Sequence, residues 1–506
     1  MARFFITTAI DYSNGDPHMG HAFEKIGADC IARYRRLRGD QVWFLIGMDE
    51  HGQKVAQAAA DRGVTPQALV DQIAASFQDS WRALAISHDQ FIRTTAPEHQ
   101  AGVQELIGRI FERNPDDFYE RTYRGLYCVG CESFKTPADL VDGRCPLHPT
   151  RTLQEVEEKN WFFRLSRYQG FLQDLVDRRP EFVQPEIRRN EILGLLRQGL
   201  EDVSASRSRF SWGVPFPRPT GDGEPQTTYV WFDALPNYWT AARFPGSGAS
   251  WPASLHVVGK DITRFHCVIW PAMLHAAGLP VPERVWAHGF INYGGDRLSK
   301  SAGVQLDLRE AIQRHGPDAL RYFLLREVGF SNDGTFSWER LDERYVSDLA
   351  DGLGNLASRS LAMVEKYRGG TVPSDHPSPL DQAGEEAVAE YCRAMDRLDL
   401  RGGAEVAWTL VSAANQYIVQ TAPWSLAKQG RDPELDAVLS ALVRCLIRLA
   451  VLLQPFMPGK SGELWQLAGQ EFPLATAWDA AERPRAGGSK VRKPEGLFPK
   501  PTTANS

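Results

Sequence analysis

Residues 3–10, Arg-Phe-Phe-Ile-Thr-Thr-Ala-Ile, form an apolar run that stops at a polar loop from Asp11 to His18. From Gly20 to Leu37 apolar residues recur at helical spacing. That segment closes on Arg35-Arg36-Leu37-Arg38-Gly39, the basic last turn and glycine that end a helix. Residues 41–48, Gln-Val-Trp-Phe-Leu-Ile-Gly-Met, are the next apolar run. Strand, helix, strand is a βαβ unit, and nothing else in the chain constrains the fold as much. Its strands are expected to be parallel, its crossover right-handed, and its ligands gathered at the carboxyl ends of the strands. Helical patterns over 65–84 and 97–113, with Phe91-Ile92-Arg93 as a short strand between them, extend the same sheet.

A chain of 506 residues exceeds what one hydrophobic core holds together. The α/β pattern covers 1–115 and is interrupted over 116–226 by short β-like pieces, a cysteine cluster and a Pro/Gly-rich stretch, which together read as an inserted domain. It resumes over 227–292, with strands expected at Thr228–Phe232, Leu255–Val258 and Trp286–Ile291. A region at 293–350 follows, a polar loop to about 305 and then helical spacing over 307–315, 317–327 and from 342 onward. Helical spacing then dominates 351–480, and a Pro, Gly, Lys, Arg and Ser-rich end at 481–506 reads as a disordered tail. The expected class is therefore α/β, a Rossmann-like parallel sheet with an insertion, followed by an α-helical domain.

No apolar run reaches membrane-spanning length and the first residues lack the sections of a signal peptide, so a cytoplasmic protein with no membrane partner is expected. A net charge of −6 argues against a general nucleic-acid coat without excluding a local basic face. Cys30, Cys267, Cys392 and Cys445 sit in helical apolar patterns and read as core. Cys128-Val129-Gly130-Cys131 and Cys145-Pro146-Leu147-His148 differ: C-x2-C and C-x2-H across a loop is zinc-knuckle spacing. With all four positions filled by Cys128, Cys131, Cys145 and His148, one structural Zn2+ is expected there.

Two motifs carry the chemistry. His18-Met19-Gly20-His21 falls where the first strand gives way to a helix, a junction whose unpaired N–H groups and dipole favour anions. Two imidazoles one turn apart add donors for a phosphate whose charge grows in the transition state. Arg297-Leu298-Ser299-Lys300-Ser301 is a polar loop after a strand, and its lysine is suited to close over a polyphosphate. Taken singly, these are also two surface histidines and a basic loop.

Together, in this order on a βαβ sheet, they resemble the HIGH and KMSKS signatures of class I aminoacyl-tRNA synthetases, here HMGH and RLSKS. Arg297 replaces the first lysine and keeps its charge, while Lys300 stands at the second. The segments Ile6–Tyr12, Met48–Gly52, Tyr229–Leu235, Gly259–Ile262, Phe265-His266 and Trp270–Ala272 are similar to bacterial methionyl-tRNA synthetases, and the similarity runs from residue 3 to about 460. The resemblance implies ATP-dependent activation of L-methionine to methionyl-adenylate and transfer to tRNA(Met), including the initiator, with Mg2+ carried by ATP. By the same resemblance, Ile10, Tyr12, Trp231, Ala234, Tyr238, Ile262 and His266 would form the methionine pocket, and Asp49 would bind the α-ammonium. His18, Gly20, His21, Gly259, Asp261, His288, Arg297 and Lys300 would serve ATP, with His18, His21 and Lys300 catalytic. Asn355, Arg359 and Trp424 resemble anticodon-reading elements, an Asn/Arg pair on one helical face with an aromatic surface for an unstacked base. Asp11 and Leu235 depart from the usual pocket residues.

Three readings stay open at this level: a class I synthetase for another apolar amino acid, a nucleotidylyltransferase sharing the HxGH site, and an adenylate-forming paralogue that no longer charges tRNA. A monomer is expected, because only a short tail follows the helical region.

Overall fold

The computed structural model describes residues 2–128, 133–135, 139–146, 149–150, 152–208, 211–293, 296–297, 306–493 and 495–500. The N-terminal apolar run forms strand β1 (Arg3–Thr8), which bends into the short strand β2 (Asp11–Tyr12). Helix α1 (Met19–Leu37) crosses over to β3 (Gln41–Asp49), and β1 and β3 pair in parallel, as a βαβ unit requires. On β3, Met48 lies opposite Asp11 on one side and Arg93 of β4 (Gln90–Arg93) on the other. Three further parallel strands complete the sheet: β5 (Val183–Gln184), β6 (Leu255–Gly259) and β7 (Val285–His288). Across the sheet the order is β4-β3-β1-β6-β7-β5, with β2 continuing alongside β3 beyond the end of β1. Chain order therefore reverses between β1 and β6. In open α/β sheets the crevice at such a switch point is where ligands bind.

The insertion is shorter than 116–226. An antiparallel sheet of Ser133–Lys135, Phe118–Cys128, Gln154–Phe163 and Val203–Ser204 forms its body. Between its last two strands, however, helix Gln169–Arg178 packs Leu172, Leu175 and Val176 into the hydrophobic core of the parallel sheet, and β5 joins that sheet beside β7. Two residues of pairing leave no periodicity for a sequence reading to detect. A second expectation also changes: Thr228–Phe232 is not a strand. Only Thr227–Thr228 is extended, and Val230–Ala234 is helical. A short apolar run suits a buried helix as well as a strand, and tertiary packing decides between them.

The helical region agrees in position. Helices α2 (Asn355–Arg368), α3 (Pro379–Asp396), α4 (Leu400–Thr421) and α5 (Asp432–Leu453) form a bundle. Every residue of α5 from Val438 to Leu453 is buried, so it is the central helix, apolar all round in that stretch except for Ser440 and two arginines. Arg444 is neutralised by Asp381 and Asp375, and Arg448 donates to the Ala481 and Glu482 carbonyls. No described helix is long and apolar enough to cross a membrane.

Those carbonyls belong to the segment expected to be a disordered tail, and residues 481–500, where described, are packed instead. Val372 and Val491 exchange backbone bonds with Ser489 and Gly370, Leu497 and Phe498 are buried, and Tyr345 donates to the Pro499 carbonyl. Composition averaged over this segment conceals its few apolar anchors, Ala486, Val491, Leu497 and Phe498. Cys30, Cys267 and Cys445 are core residues as expected. Cys392 is half-buried, and its Sγ accepts from Arg38 at 3.0 Å.

Candidate active site

The carboxyl ends of β1, β3, β6 and β7 surround a cavity of about 310 Å3. Its wall includes every residue expected to contact methionine: Ile10, Tyr12, Asp49, Trp231, Ala234, Tyr238, Ile262 and His266. It also includes His18, Gly20, His21, Gly259, Asp261 and His288 from the nucleotide side. Two groups read separately from the sequence thus face one space.

At the end nearest α1, the helix is capped by His18 rather than the usual serine, threonine or aspartate. Gly20 N–H donates to His18 Nδ1 at 3.1 Å, and His18 N–H donates to His21 Nδ1 at 3.3 Å. The rings stack with centroids 3.7 Å apart. An imidazole nitrogen that accepts is unprotonated, so each neutral ring carries its proton on Nε2. In this tautomer both rings carry an Nε2–H at the helix N-terminus. A Cβ on Gly20 would lie 3.0 Å from His18 Cε1, crowding the capping ring, and one on Gly259 would lie 2.8 Å from Asp261 Oδ1. Glycine at both positions preserves the donor geometry as well as close approach to the backbone.

At the opposite end the lining is aromatic. Trp231 stacks on Phe265 at 3.7 Å with 6° between planes. His266 lies in a wide helical turn, Phe265–Ile269. Its Nδ1–H donates to the Ile262 carbonyl at 2.9 Å, leaving Nε2 to accept from Tyr238 Oη at 2.7 Å. Burial pushes the His266 imidazole down to about 4, so it is neutral at physiological pH. Burial, and then His266, hold His256, whose ring lies against Tyr238, well below the ordinary histidine range as well.

Asp49 is buried at the end of β3, and its Oδ1 has no hydrogen-bond partner among the described residues. Burial, with Asp233 nearby, raises its carboxyl well above the ordinary range; the backbone N–H of His51 only partly offsets this. A cationic ligand group would relieve that cost. The loop after Asp49 is held firmly. Asp233 accepts from His51 at 2.6 Å and His99 at 2.9 Å, and Trp212 Nε1–H donates to the Glu50 carbonyl. Although buried, Asp233 is held down at about 2 by these two histidines.

Sequence reasoning passed over a charged cluster beside the cavity. Lys25 bridges Asp11 and Glu24, and the second Glu24 oxygen meets His288 Nε2 at 3.1 Å. Asp11 had registered only as a departure from the family, and Glu24 and Lys25 not at all. The available signal was two charges inside an apolar helical face, which α1 buries completely.

The remaining expected residues lie elsewhere. Arg297 forms a two-residue strand with Asp296 that pairs with Ile291–Tyr293, but its side chain, like all of Lys300, lies outside the described residues. So do Cys131 and His148. Cys128 and Cys145 are described; both are buried and neither is in a disulfide, which suits thiolate donors to zinc. Among the described residues no group of three or more His, Cys, Asp or Glu is placed to hold a metal. Asn355 is exposed and Arg359 half-buried on one face of α2, and Trp424 stands 47% exposed after the turn that ends α4.

Comparison with known proteins places these features together. A family described as tRNA synthetases class I (M) matches residues 4–157 and 150–361, and one described as the anticodon binding domain of methionyl tRNA ligase matches 369–505. The chain is 42% identical to a methionine–tRNA ligase of Caldanaerobacter subterraneus, over 98% of this chain and 78% of that one. It is 40% identical to the ligase of Streptomyces coelicolor, over 98% and 96%. The Mycobacterium tuberculosis methionyl-tRNA synthetase in complex with methionyl-adenylate superimposes with a TM-score of 0.92 at 39% identity, covering 99% of this chain and all of that one.

Proposed function

The chain belongs to the class I methionyl-tRNA synthetase family, and from that premise we propose how its own residues divide the work. Its reaction is methionine–tRNA ligation: L-methionine and ATP give methionyl-adenylate and pyrophosphate, and the methionyl group passes to tRNA(Met). The observation that carries the residue assignment is the single cavity in which the capped histidine pair faces an aromatic pocket and a buried carboxylate.

Methionine enters with its thioether among Trp231, Tyr238, Ile262 and His266, where polarisable sulfur packs against rings. The neutral, hydrogen-bonded His266–Tyr238 pair presents no charge to it. Asp49 takes the α-ammonium, which regains for that carboxylate the counter-charge that burial removed. A carboxylate oxygen of methionine then attacks the α-phosphorus of ATP. The bond from that phosphorus to the bridging oxygen breaks, and pyrophosphate leaves. Nothing here needs covalent catalysis by the protein; positioning and charge stabilisation suffice. His18 and His21 donate Nε2–H groups to the phosphates, Arg297 and Lys300 act on the departing pyrophosphate, and Gly259, Asp261 and His288 border the nucleoside. Mg2+ arrives with ATP as part of the substrate. In the second step a terminal ribose hydroxyl of tRNA, the 2′-hydroxyl by family analogy, attacks the activated carbonyl and releases AMP.

Asn355, Arg359 and Trp424 form the anticodon-reading surface, supported by the exposure of Asn355 and Trp424 on the helical domain and by the place of Arg359 one turn from Asn355. A zinc held by Cys128, Cys131, Cys145 and His148 would cross-link the tip of the insertion, and no chemical step passes through it. Metal analysis should find about one zinc per chain. The protein acts as a cytoplasmic monomer. One experiment tests the whole assignment: charging of tRNA(Met) with labelled methionine, alongside methionine-dependent pyrophosphate exchange. Exchange without charging would mark an adenylate-forming paralogue, and activity with a different apolar amino acid would overturn the pocket assignment.

A further inference from the structure

The reaction as assigned above makes no use of Lys25, whose side chain is wholly buried beside the cavity. An ammonium has three hydrogens, and here each has an acceptor: the Ala9 carbonyl at 2.9 Å, Asp11 Oδ1 at 2.8 Å and Glu24 Oε1 at 2.8 Å. The first two acceptors flank Ile10 on the segment that also carries Tyr12, the methionine side. The third is on α1, three residues beyond His21 and so on the same helical face. Glu24 extends the link to His288 on β7 through its other oxygen, at 3.1 Å. Asp11, Glu24 and His288 all line the cavity, and Asp11 Oδ2 is buried without a hydrogen-bond partner among the described residues.

Two carboxylates thus share one buried ammonium. Replacing such a cluster with apolar side chains is often neutral or stabilising, so stability alone does not account for it. Its distinctive property is geometric. A saturated ammonium holds the strand end and the helix at one spacing, and a shift of either breaks charge-assisted bonds.

We propose that Lys25 is a positioning residue that ties the methionine-lining segment Ala9–Tyr12 to the helix bearing His21 and Glu24, so that methionine in its pocket sets the ATP side for attack. The proposal rests on the methionine-activation reading of the cavity. The cluster's electrostatics agree with it. Burial opposes the Lys25 charge, yet Asp11 and Glu24 hold its ammonium above the usual value, and it stays charged at neutral pH. Burial raises Asp11 to about 7 against the pull of Lys25, which marks it as the strained member of the trio.

The test uses the full chain and two variants, Lys25→Met and Asp11→Ala, with equilibrium methionine binding measured beside pyrophosphate exchange. In Lys25→Met, methionine affinity without ATP should change by less than about threefold. KM for ATP should rise about tenfold and lose its dependence on methionine concentration. Equal changes in both substrates, or none, would overturn the proposal. Should Lys25→Met fail to fold, Asp11→Ala decides, because it removes one bond and leaves Glu24 to neutralise the ammonium. It should raise KM for ATP about threefold and weaken the methionine dependence; unchanged coupling would again overturn the proposal. Absence of methionine-dependent exchange in the unaltered enzyme would instead overturn the reading of the cavity.

Discussion

The two ends of the cavity are built in different ways. At the phosphate end, His18, Gly20 and His21 come from one tetrapeptide, and each ring is oriented by a backbone N–H within three residues. At the methionine end, Tyr12, Asp49, Trp231, Tyr238 and His266 come from four separate parts of the chain and orient one another through Tyr238–His266, Trp231–Phe265 and the Asp233 histidine pair. In the role proposed for it, the local cap is an anion site indifferent to the amino acid being activated. Selectivity needs a wall of fixed shape, and only long-range packing provides one.

This contrast is tested first where the effect is largest. His21→Asn keeps an acceptor near the Nδ1 position and removes the Nε2 donor. It should lower kcat for pyrophosphate exchange by about 100- to 1000-fold with methionine affinity unchanged. An equal loss in methionine binding would mean the two ends are not separable. Asp49→Asn should do the converse, raising the methionine KM about 100-fold, because the α-ammonium loses its counter-charge. A loss confined to kcat would place Asp49 in the phosphate step.

A third expectation concerns pH. The folded His266 ring binds its proton only below about 4, against an ordinary value of 6.5, so below 6.5 the unfolded chain binds more protons than the folded one. Folded stability from this residue is therefore complete above 6.5 and falls as pH drops towards 4, by about 2 kcal/mol at pH 5. His266→Gln should flatten that part of a denaturation-against-pH curve, and an unaltered slope would place the acid sensitivity elsewhere. The smallest effect is expected far from the cavity. Trp424→Ala should weaken tRNA charging about tenfold, the loss of one stacked base, and spare exchange. A fall in exchange would make Trp424 a structural anchor.

Much of this was legible in the sequence wherever the signal was periodic or contiguous. The βαβ unit and helices 66–83 and 97–113 appear close to their expected bounds, and the bundle helices fall in the region expected to be helical. The resemblance placed the pocket residues by position, and all of them line the cavity. What escaped was short or non-periodic: β5, two residues long; Val230–Ala234, whose apolar run suits strand or helix equally; and the packed segment 481–500, hidden behind its charged composition. The Lys25 cluster escaped for a different reason, since its meaning depends on which charges burial brings together.

By itself, the sequence determined the parallel sheet, the strand-to-helix junction that carries His18 and His21, and the family to which the chain belongs, because each is written in neighbouring residues or in spacing. Tertiary structure alone decided that β1 and β6 lie side by side, so that Asp11, Asp49, Trp231, His266 and His288 share one cavity. It also decided the protonation and orientation of the groups that meet there. Burial and hydrogen bonding across long separations set those properties, and neither leaves a period in the chain.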